Sequence, residues 1–318
     1  MKISLVTPAG KQSKSGNRTT AVRWAGFLRE FGHRVEISET DEDGNADMMI
    51  AVHAWRSANS IQAFSDRFPS RPLAVLLAGT DIHEFQYSHT EVTLGSMDRA
   101  DRLICLHELT ERAIPERFAQ KLSVIHQSAP PLTVPRAPST RWFEVFVAGH
   151  LREVKDPLRT ACAARLVPDR SRLRIVHVGK AHDDLWAEKA TEETRNNRRY
   201  VWRGEVRGWQ VRRQFARSHA MVISSVAEGG ANVVSESIVC GVPVIASHID
   251  GNVGLLGEDY SGYFPAKDEK ALARLLYRSE TDADFLNKLA SQCARRRPLF
   301  SQESERAVLR TLIEELTT

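Results

Sequence analysis

Two glutamates, Glu228 and Glu236, stand with seven residues between them on either side of a Gly229-Gly230 turn. Carboxylates accept hydrogen bonds from sugar hydroxyls, and glycines without a Cβ let a bulky ligand approach the backbone. The helix predicted from about Ala231 and Asn232 offers unpaired N–H groups and a positive dipole end, which suit a diphosphate. At this spacing both glutamates can reach one small ligand. Two solvated glutamates on a capped helix are the plain alternative. The glycine turn in front and the strand Gly241-Val242-Pro243-Val244-Ile245-Ala246 behind favour the binding reading. A second loop, Gly149-His150-Leu151-Arg152-Glu153-Val154-Lys155-Asp156, follows an apolar run. Its Arg152 and Lys155 set two cations at a strand end, although alone it reads as a solvated basic loop.

The first half carries a different set. An apolar run ends in Gly10-Lys11-Gln12-Ser13-Lys14-Ser15-Gly16-Asn17-Arg18, a hydroxyl-rich loop with three cations before a helix start. Such a loop makes a nest for a small anion. It is not a Walker motif, because Gly16 is followed by Asn17 and Arg18 where Lys and Ser or Thr are required. No Gly-x-Gly-x-x-Gly with an acidic residue after strand two is in register, which speaks against a nicotinamide dehydrogenase. Further on, Gly79-Thr80-Asp81-Ile82-His83 ends another apolar run. Thr80, Asp81 and His83 bring a hydroxyl, a carboxylate and an imidazole to that strand end, with capping as the plain reading. His126-Gln127-Ser128 is a weaker candidate for the same lining. Asp41-Glu42-Asp43 reads as a solvated turn, and His182-Asp183-Asp184 shows no metal-ligand spacing. No metal or other cofactor is expected.

The elements that must hold these residues alternate along the chain. Strands are predicted at 3–7, 34–38, 48–53, 73–77, 102–106 and 122–126, with helices at 18–31, 57–68, 93–99 and 108–118. Pro130, Pro131, Pro135 and Pro138 then form a linker that can continue neither a helix nor a central strand. The pattern restarts with strands at 143–148, 174–178, 200–202, 220–224 and 242–246. Helices follow at 157–166, 185–194, 209–218, 232–240 and 269–276, and a helical tail from 282 to 316 is broken at Pro298. This predicts two α/β units, 1–135 and 136–299, with a last helix near 300–318 able to return to the first. Open parallel sheets bind ligands beyond their carboxyl ends, so the expected site is the cleft between the halves.

Bulk properties exclude other classes. With 44 basic and 40 acidic residues the formal net charge is +4, too balanced to argue for a nucleic-acid partner. Four scattered cysteines without a Cys-x-x-Cys pair predict buried, reduced thiols rather than a disulfide framework or zinc site. No run has the length of a signal peptide or membrane span, so a cytoplasmic protein without integral membrane association is expected.

The Glu228–Glu236 segment resembles the Glu-x7-Glu motif of family-four glycosyltransferases. This resemblance implies a GT-B architecture of two Rossmann-like domains, the first binding acceptor and the second a nucleotide-sugar donor. It implies donor hexose contact for Glu228, ribose contact for Glu236, and diphosphate contact for Arg152 and Lys155. Gly149, Gly229, Gly230, Ala231 and Asn232 would complete the donor site, and Glu228, Arg152, Lys155 and Asp81 are the expected catalytic residues. Gly10, Lys11, Lys14, Gly16, Asn17, Arg18, Thr80 and His83 would serve the acceptor. His248-Ile249-Asp250-Gly251-Asn252-Val253-Gly254 occupies the family's glycine-rich turn but departs from its common form, leaving His248 and Asn252 as sugar neighbours.

The opening strand and loop, with Leu77-Ala78-Gly79-Thr80-Asp81-Ile82, resemble a narrower group, the selenosugar synthases of selenoneine biosynthesis. That resemblance spans nearly the whole chain. It implies transfer from a UDP-sugar, notably UDP-N-acetylglucosamine, to selenophosphate, and a selenophosphate-producing enzyme as a pathway partner. The family motif implies retention at the anomeric carbon, whereas direct displacement by an anionic nucleophile implies inversion. An oxygen-acceptor transferase, a UDP-sugar epimerase and a non-catalytic nucleotide-sugar binder are the alternatives.

Overall fold

A computed structural model of the chain describes residues 1–13, 15–41 and 44–318; Lys14 and the Glu42–Asp43 pair lie outside the described residues. The strands are β1 (Lys2–Val6), β2 (Arg34–Ser38), β3 (Met48–Val52), β4 (Leu73–Leu76), β5 (Arg102–Cys105), β6 (Leu122–Val124), β7 (Phe143–Ala148), β8 (Leu173–Val178), β9 (Tyr200–Trp202), β10 (Ala220–Ile223), β11 (Val244–Ser247) and β12 (Tyr263–Phe264). The α-helices are α1 (Gly16–Glu30), α2 (Ala58–Arg67), α3 (Gln86–Ser88), α4 (Thr90–Arg99), α5 (Arg159–Leu166), α6 (Asp184–Asn196), α7 (Gly208–Arg217), α8 (Asn232–Val239), α9 (Asp250–Leu256), α10 (Glu269–Thr281), α11 (Ala283–Arg296) and α12 (Gln302–Thr317).

Two six-stranded sheets result, ordered β2-β1-β3-β4-β5-β6 and β12-β11-β10-β7-β8-β9, and every pairing is parallel. Helices cover both faces, which explains the near-continuous apolar strands. In β3, Met48, Ile50 and Val52 enter one core cluster while Met49 and Ala51 enter another, following the two-residue side-chain period. The polar β2 lies at one edge of its sheet.

The chain divides into two compact units. One comprises Met1–Ser128, Glu228–Ala231 and Gln302–Thr318; the other comprises Ala129–Ala227 and Asn232–Ser301. The proline run belongs to the second, tied there by Ala137 N–H to Ala216 O (2.8 Å) and Ser139 N–H to Arg217 O (3.0 Å). In the first, α12 lays Leu309, Leu312 and Ile313 into the core around Trp24 and Leu28. Glu305 locks the helix, accepting from Arg23 Nε (2.7 Å) and Nη2 (2.9 Å), Trp24 Nε1 (2.8 Å) and the Ser128 amide (3.0 Å).

Three local expectations need correction. The helix expected at 108–118 is two 3-10 segments, Glu108–Ala113 and Glu116–Lys121. Pro115 forces its predecessor Ile114 into extended backbone (φ −123°, ψ 158°), which ends the first segment. The glycine-rich turn expected at 248–254 is mostly α9, begun after an extended Ile249. Cys105, Cys240 and Cys293 are buried and free, while Cys162 is free but exposed. Among the described residues no helix is long and apolar enough to cross a membrane.

Candidate functional site

Each sheet has a topological switch point, where neighbouring strands lead off in opposite directions and leave a crevice at their carboxyl ends. In the second unit it lies between β7 and β10. A narrow crevice opens there, lined among others by Gly149, His150, Lys155, Ser224, Ser225 and Val233. The loop after β7 is bound to the strand end of β10: Ser224 Oγ donates to Asp156 O (2.9 Å), and Val226 N–H donates to Val154 O (2.9 Å). Asp156 takes a left-handed conformation (φ 43°) and pairs with Arg159 Nε at 2.7 Å.

Behind the pocket, buried His177 braces the floor. Its Nε2 lies 3.2 Å from Gly149 O and its Nδ1 2.8 Å from the Tyr200 hydroxyl. Desolvation pushes the His177 pKa down to about 4, so the ring is neutral near pH 7, donates from Nε2 to the Gly149 carbonyl and accepts from Tyr200. Gly179 lets the neighbouring loop approach, since a Cβ there would lie 1.9 Å from Gly149 O. His177 had no motif to mark it in the sequence; its position on a central strand next to a polar loop was the available signal.

Gly149 and Lys155 therefore share one pocket, with Asn232 opening α8 beside Val233 and half-buried Glu236 one turn further on. Arg152 is exposed on the same loop. Asn252 is wholly buried and its amide donates to Ser247 O (2.9 Å) and Oγ (3.0 Å), so it is an internal brace rather than a sugar neighbour. His248 is exposed and meets Tyr263 edge-on at 5.1 Å. Asp183 caps α6 through the Trp186 amide at 2.9 Å.

Glu228, Gly229, Gly230 and Ala231 belong to the first unit. The two glycines were expected to admit a ligand; protein fills the space instead. A Cβ on Gly229 would lie 2.6 Å from Gly79 Cα, and one on Gly230 would lie 2.4 Å from Leu106 Cβ. Gly79 itself has φ 111°. His83 Nε2 lies 3.1 Å from Glu228 O, fixing this segment to the loop after β4.

In that segment, where Asp81–Phe85 form a π-helical turn leading into α3, Asp81 is 0% exposed. Its Oδ2 accepts from Ala54 N (3.0 Å) and Ala78 N (3.0 Å), and its Oδ1 from Gly79 N (2.8 Å) and Ile82 N (3.2 Å). Expected to work on substrate, Asp81 is placed as the anchor that ties the β3 and β4 loops together. Thr80 and His83 flank it, both half-buried. The loop after β1 holds Gly10 and exposed Lys11, then turns into α1, which Ser15 caps by accepting from Arg18 N (3.4 Å). Gly16 and Asn17 form the first turn of α1, and among the described residues the buried Nε of Arg18 has no hydrogen-bond partner.

His126, Gln127 and Ser128 do not line a site together: Gln127 donates to Thr20 Oγ1 (2.5 Å), His126 pairs with Glu108 (3.3 Å), and Ser128 binds Glu305. Sequence reasoning missed the loop after β3. The first switch point lies between β1 and β3, and an open depression there is lined by Pro8, Trp55, Arg56, Ala58, Asn59 and Val92. Trp55 stacks on Phe85 at 4.0 Å, with the exposed Arg56 guanidinium 5.9 Å from the Trp55 ring centre.

Comparison with known proteins bears on this arrangement. The chain is 23% identical over 333 residues to the Xenopus tropicalis glycosyltransferase 1 domain-containing protein 1, covering 96% of each. It resembles the structure of Anabaena HepE in complex with UDP and glucose, with a TM-score of 0.78 and 15% identity over 100% of this chain and 99% of that one. A sucrose-phosphate synthase from Thermosynechococcus elongatus gives a TM-score of 0.80 with 14% identity, covering 99% of each chain. These likenesses, with the two parallel sheets, identify the fold as the two-domain α/β GT-B type. The family model described as glycosyl transferases group 1 matches residues 136–296, just over half of the chain, and the protein therefore belongs to that family and is a glycosyltransferase.

Proposed function

We propose that the protein transfers a hexose or hexosamine from a UDP-sugar, with UDP-N-acetylglucosamine the preferred donor, to a small anionic acceptor, selenophosphate. The observation that carries the reading is the pocket at the second switch point, where the Gly149–Lys155 loop and the start of α8 converge. Backbone N–H groups at the start of α8 and the Lys155 ammonium suit a diphosphate. Arg152, exposed on the same loop, would add charge as UDP departs. Complexes of HepE with UDP and with UDP-glucose support a uridine diphosphate donor.

In the first unit, Lys11 and Arg18 supply positive charge around the loop after β1. This suits an anionic acceptor, which needs no general base because it is already charged. Selenium attacks the anomeric carbon, a C–Se bond forms, and the bond from that carbon to the UDP oxygen breaks with the electron pair leaving on UDP. The P–Se bond must also be broken for a free selenosugar to form. Glu228 and Glu236 bind donor hydroxyls in this reading, Asp81 holds the loop that carries Thr80 and His83, and no metal is required.

The test is purified protein with UDP-N-acetylglucosamine, with and without selenophosphate made in situ, following UDP release and product mass. Release that depends on selenophosphate, yields a seleno-hexosamine and is abolished by Glu228→Ala or Arg152→Ala is the expected result. Release without any acceptor points to hydrolysis or epimerisation instead, and no release refutes the acceptor.

A further inference from the structure

His53 holds a backbone conformation that side chains rarely adopt. Its φ is 80°, its exposure is 1%, and it ends β3 beside the switch point of the first sheet. Its own N–H donates to Leu76 O at 2.8 Å. The Arg56 amide donates to its Nδ1 at 3.2 Å, and its Nε2 lies 2.9 Å from Thr80 Oγ1. A ring nitrogen that accepts from an amide carries no proton, so a neutral ring holds its proton on Nε2. Nε2 is then the donor and Thr80 Oγ1 the acceptor.

The neutral form fits the surroundings. Burial pushes the His53 pKa down and Arg56 acts the same way, while Asp81, 3.9 Å from Nδ1, and Glu84 pull upward. The Phe85 ring lies 5.7 Å away, centre to centre. Thr80 thus gives one lone pair to the imidazole, and its hydrogen must point elsewhere. Among the described residues the Thr80 hydroxyl has no second partner.

We propose that His53 is a positioning residue that makes the half-buried Thr80 hydroxyl a committed hydrogen-bond donor to an anionic oxygen of the acceptor. The proposal rests on the transfer reading above. It gives the loop after β4 a selectivity: an acceptor atom with a free lone pair is received, and one that can only donate is not. It also gives a reason for a histidine at a position where glycine or asparagine would relieve the backbone, since neither carries an Nε2.

Four forms test it: the wild type, Thr80→Val, His53→Asn, which tolerates left-handed backbone, and the double variant. Loss of one such hydrogen bond lowers kcat/KM for the acceptor about tenfold, mainly through KM. The double variant falls no further than Thr80→Val alone, and UDP affinity is unchanged in all four. Losses that multiply in the double variant would show that His53 acts only through the fold and would overturn the proposal. An independent arm needs no turnover. In 15N-histidine spectra at pH 7, His53 is neutral and protonated on Nε2, and inorganic phosphate shifts that signal in the wild type but not in Thr80→Val. An Nδ1-protonated or cationic ring, or a phosphate response unaltered by Thr80→Val, overturns it. Should the wild type transfer sugar to no acceptor, the transfer reading fails while this arm still decides the His53–Thr80 arrangement.

Discussion

Replacing Asp81 by asparagine separates an anchor from a chemical group, because the change is nearly isosteric. The carboxylate accepts four backbone N–H groups at 2.8–3.2 Å with no exposure to water. In Asp81→Asn one oxygen remains, and the two amides on the other side face an NH2 group that can only donate. Each buried donor left without a partner costs about 1–3 kcal/mol, and relaxation plus relief of a buried charge offset part of this. The expected destabilisation is about 2–4 kcal/mol, which for a unit of this size lowers Tm by roughly 5–15 °C. Guanidinium and thermal unfolding measure it, with transfer rate followed in parallel below the transition. Activity should fall together with loop order, and Asp81→Ala, which orphans all four amides, should be worse on both counts. A variant with stability within about 0.5 kcal/mol of wild type but with activity lost would refute this account and make Asp81 a group that meets substrate.

Glu305→Ala leaves the Arg23 guanidinium, Trp24 Nε1 and the Ser128 amide without their shared partner; unfolding of the first unit should show a loss of about 3–5 kcal/mol. Gly229→Ala drives a methyl group into the Gly79 backbone, and overpacking of about 1–3 kcal/mol should appear as earlier thermal unfolding and faster proteolytic cleavage near residue 228. His177, with a folded pKa of about 4 against an unfolded value of 6.5, binds its proton more readily when unfolded. Its contribution is therefore fully present above pH 6.5 and lost as pH falls toward 4, up to about 3 kcal/mol at the acid end. Urea unfolding of wild type and His177→Gln across that range should show a flatter acid limb in the variant.

The sheets were legible because buried parallel strands are apolar on both sides: runs such as Met48–Val52 and Ala220–Ile223 have few other places to go. Short or interrupted elements were not. β12 is two residues long, α9 carries Gly251 and Gly254 inside its turns, and Pro115 splits what reads as one amphipathic segment. Motif loops such as 149–156 could be located because glycine and basic residues cluster at a strand end. Trp55, Arg56 and His53 form no motif, and their importance follows from β1 and β3 being neighbours, a fact of strand order that local sequence does not carry. Gly229 is a similar case: the absence of a Cβ signals close approach, but tertiary packing decides whether a ligand or Gly79 approaches.

The return of α12 sets an order for biosynthesis. Trp24 and Glu305 bond across 281 positions of chain, so the core around Trp24 stays unfinished until Leu309, Leu312 and Ile313 have emerged. At ribosomal speeds the wait is on the order of tens of seconds. During that interval the whole of the second unit, Ala129–Ser301 apart from Glu228–Ala231, has been made. The nascent chain thus completes its later unit first and carries an open apolar face on the earlier one. A chain stopped short of residue 309 would leave that face permanently exposed.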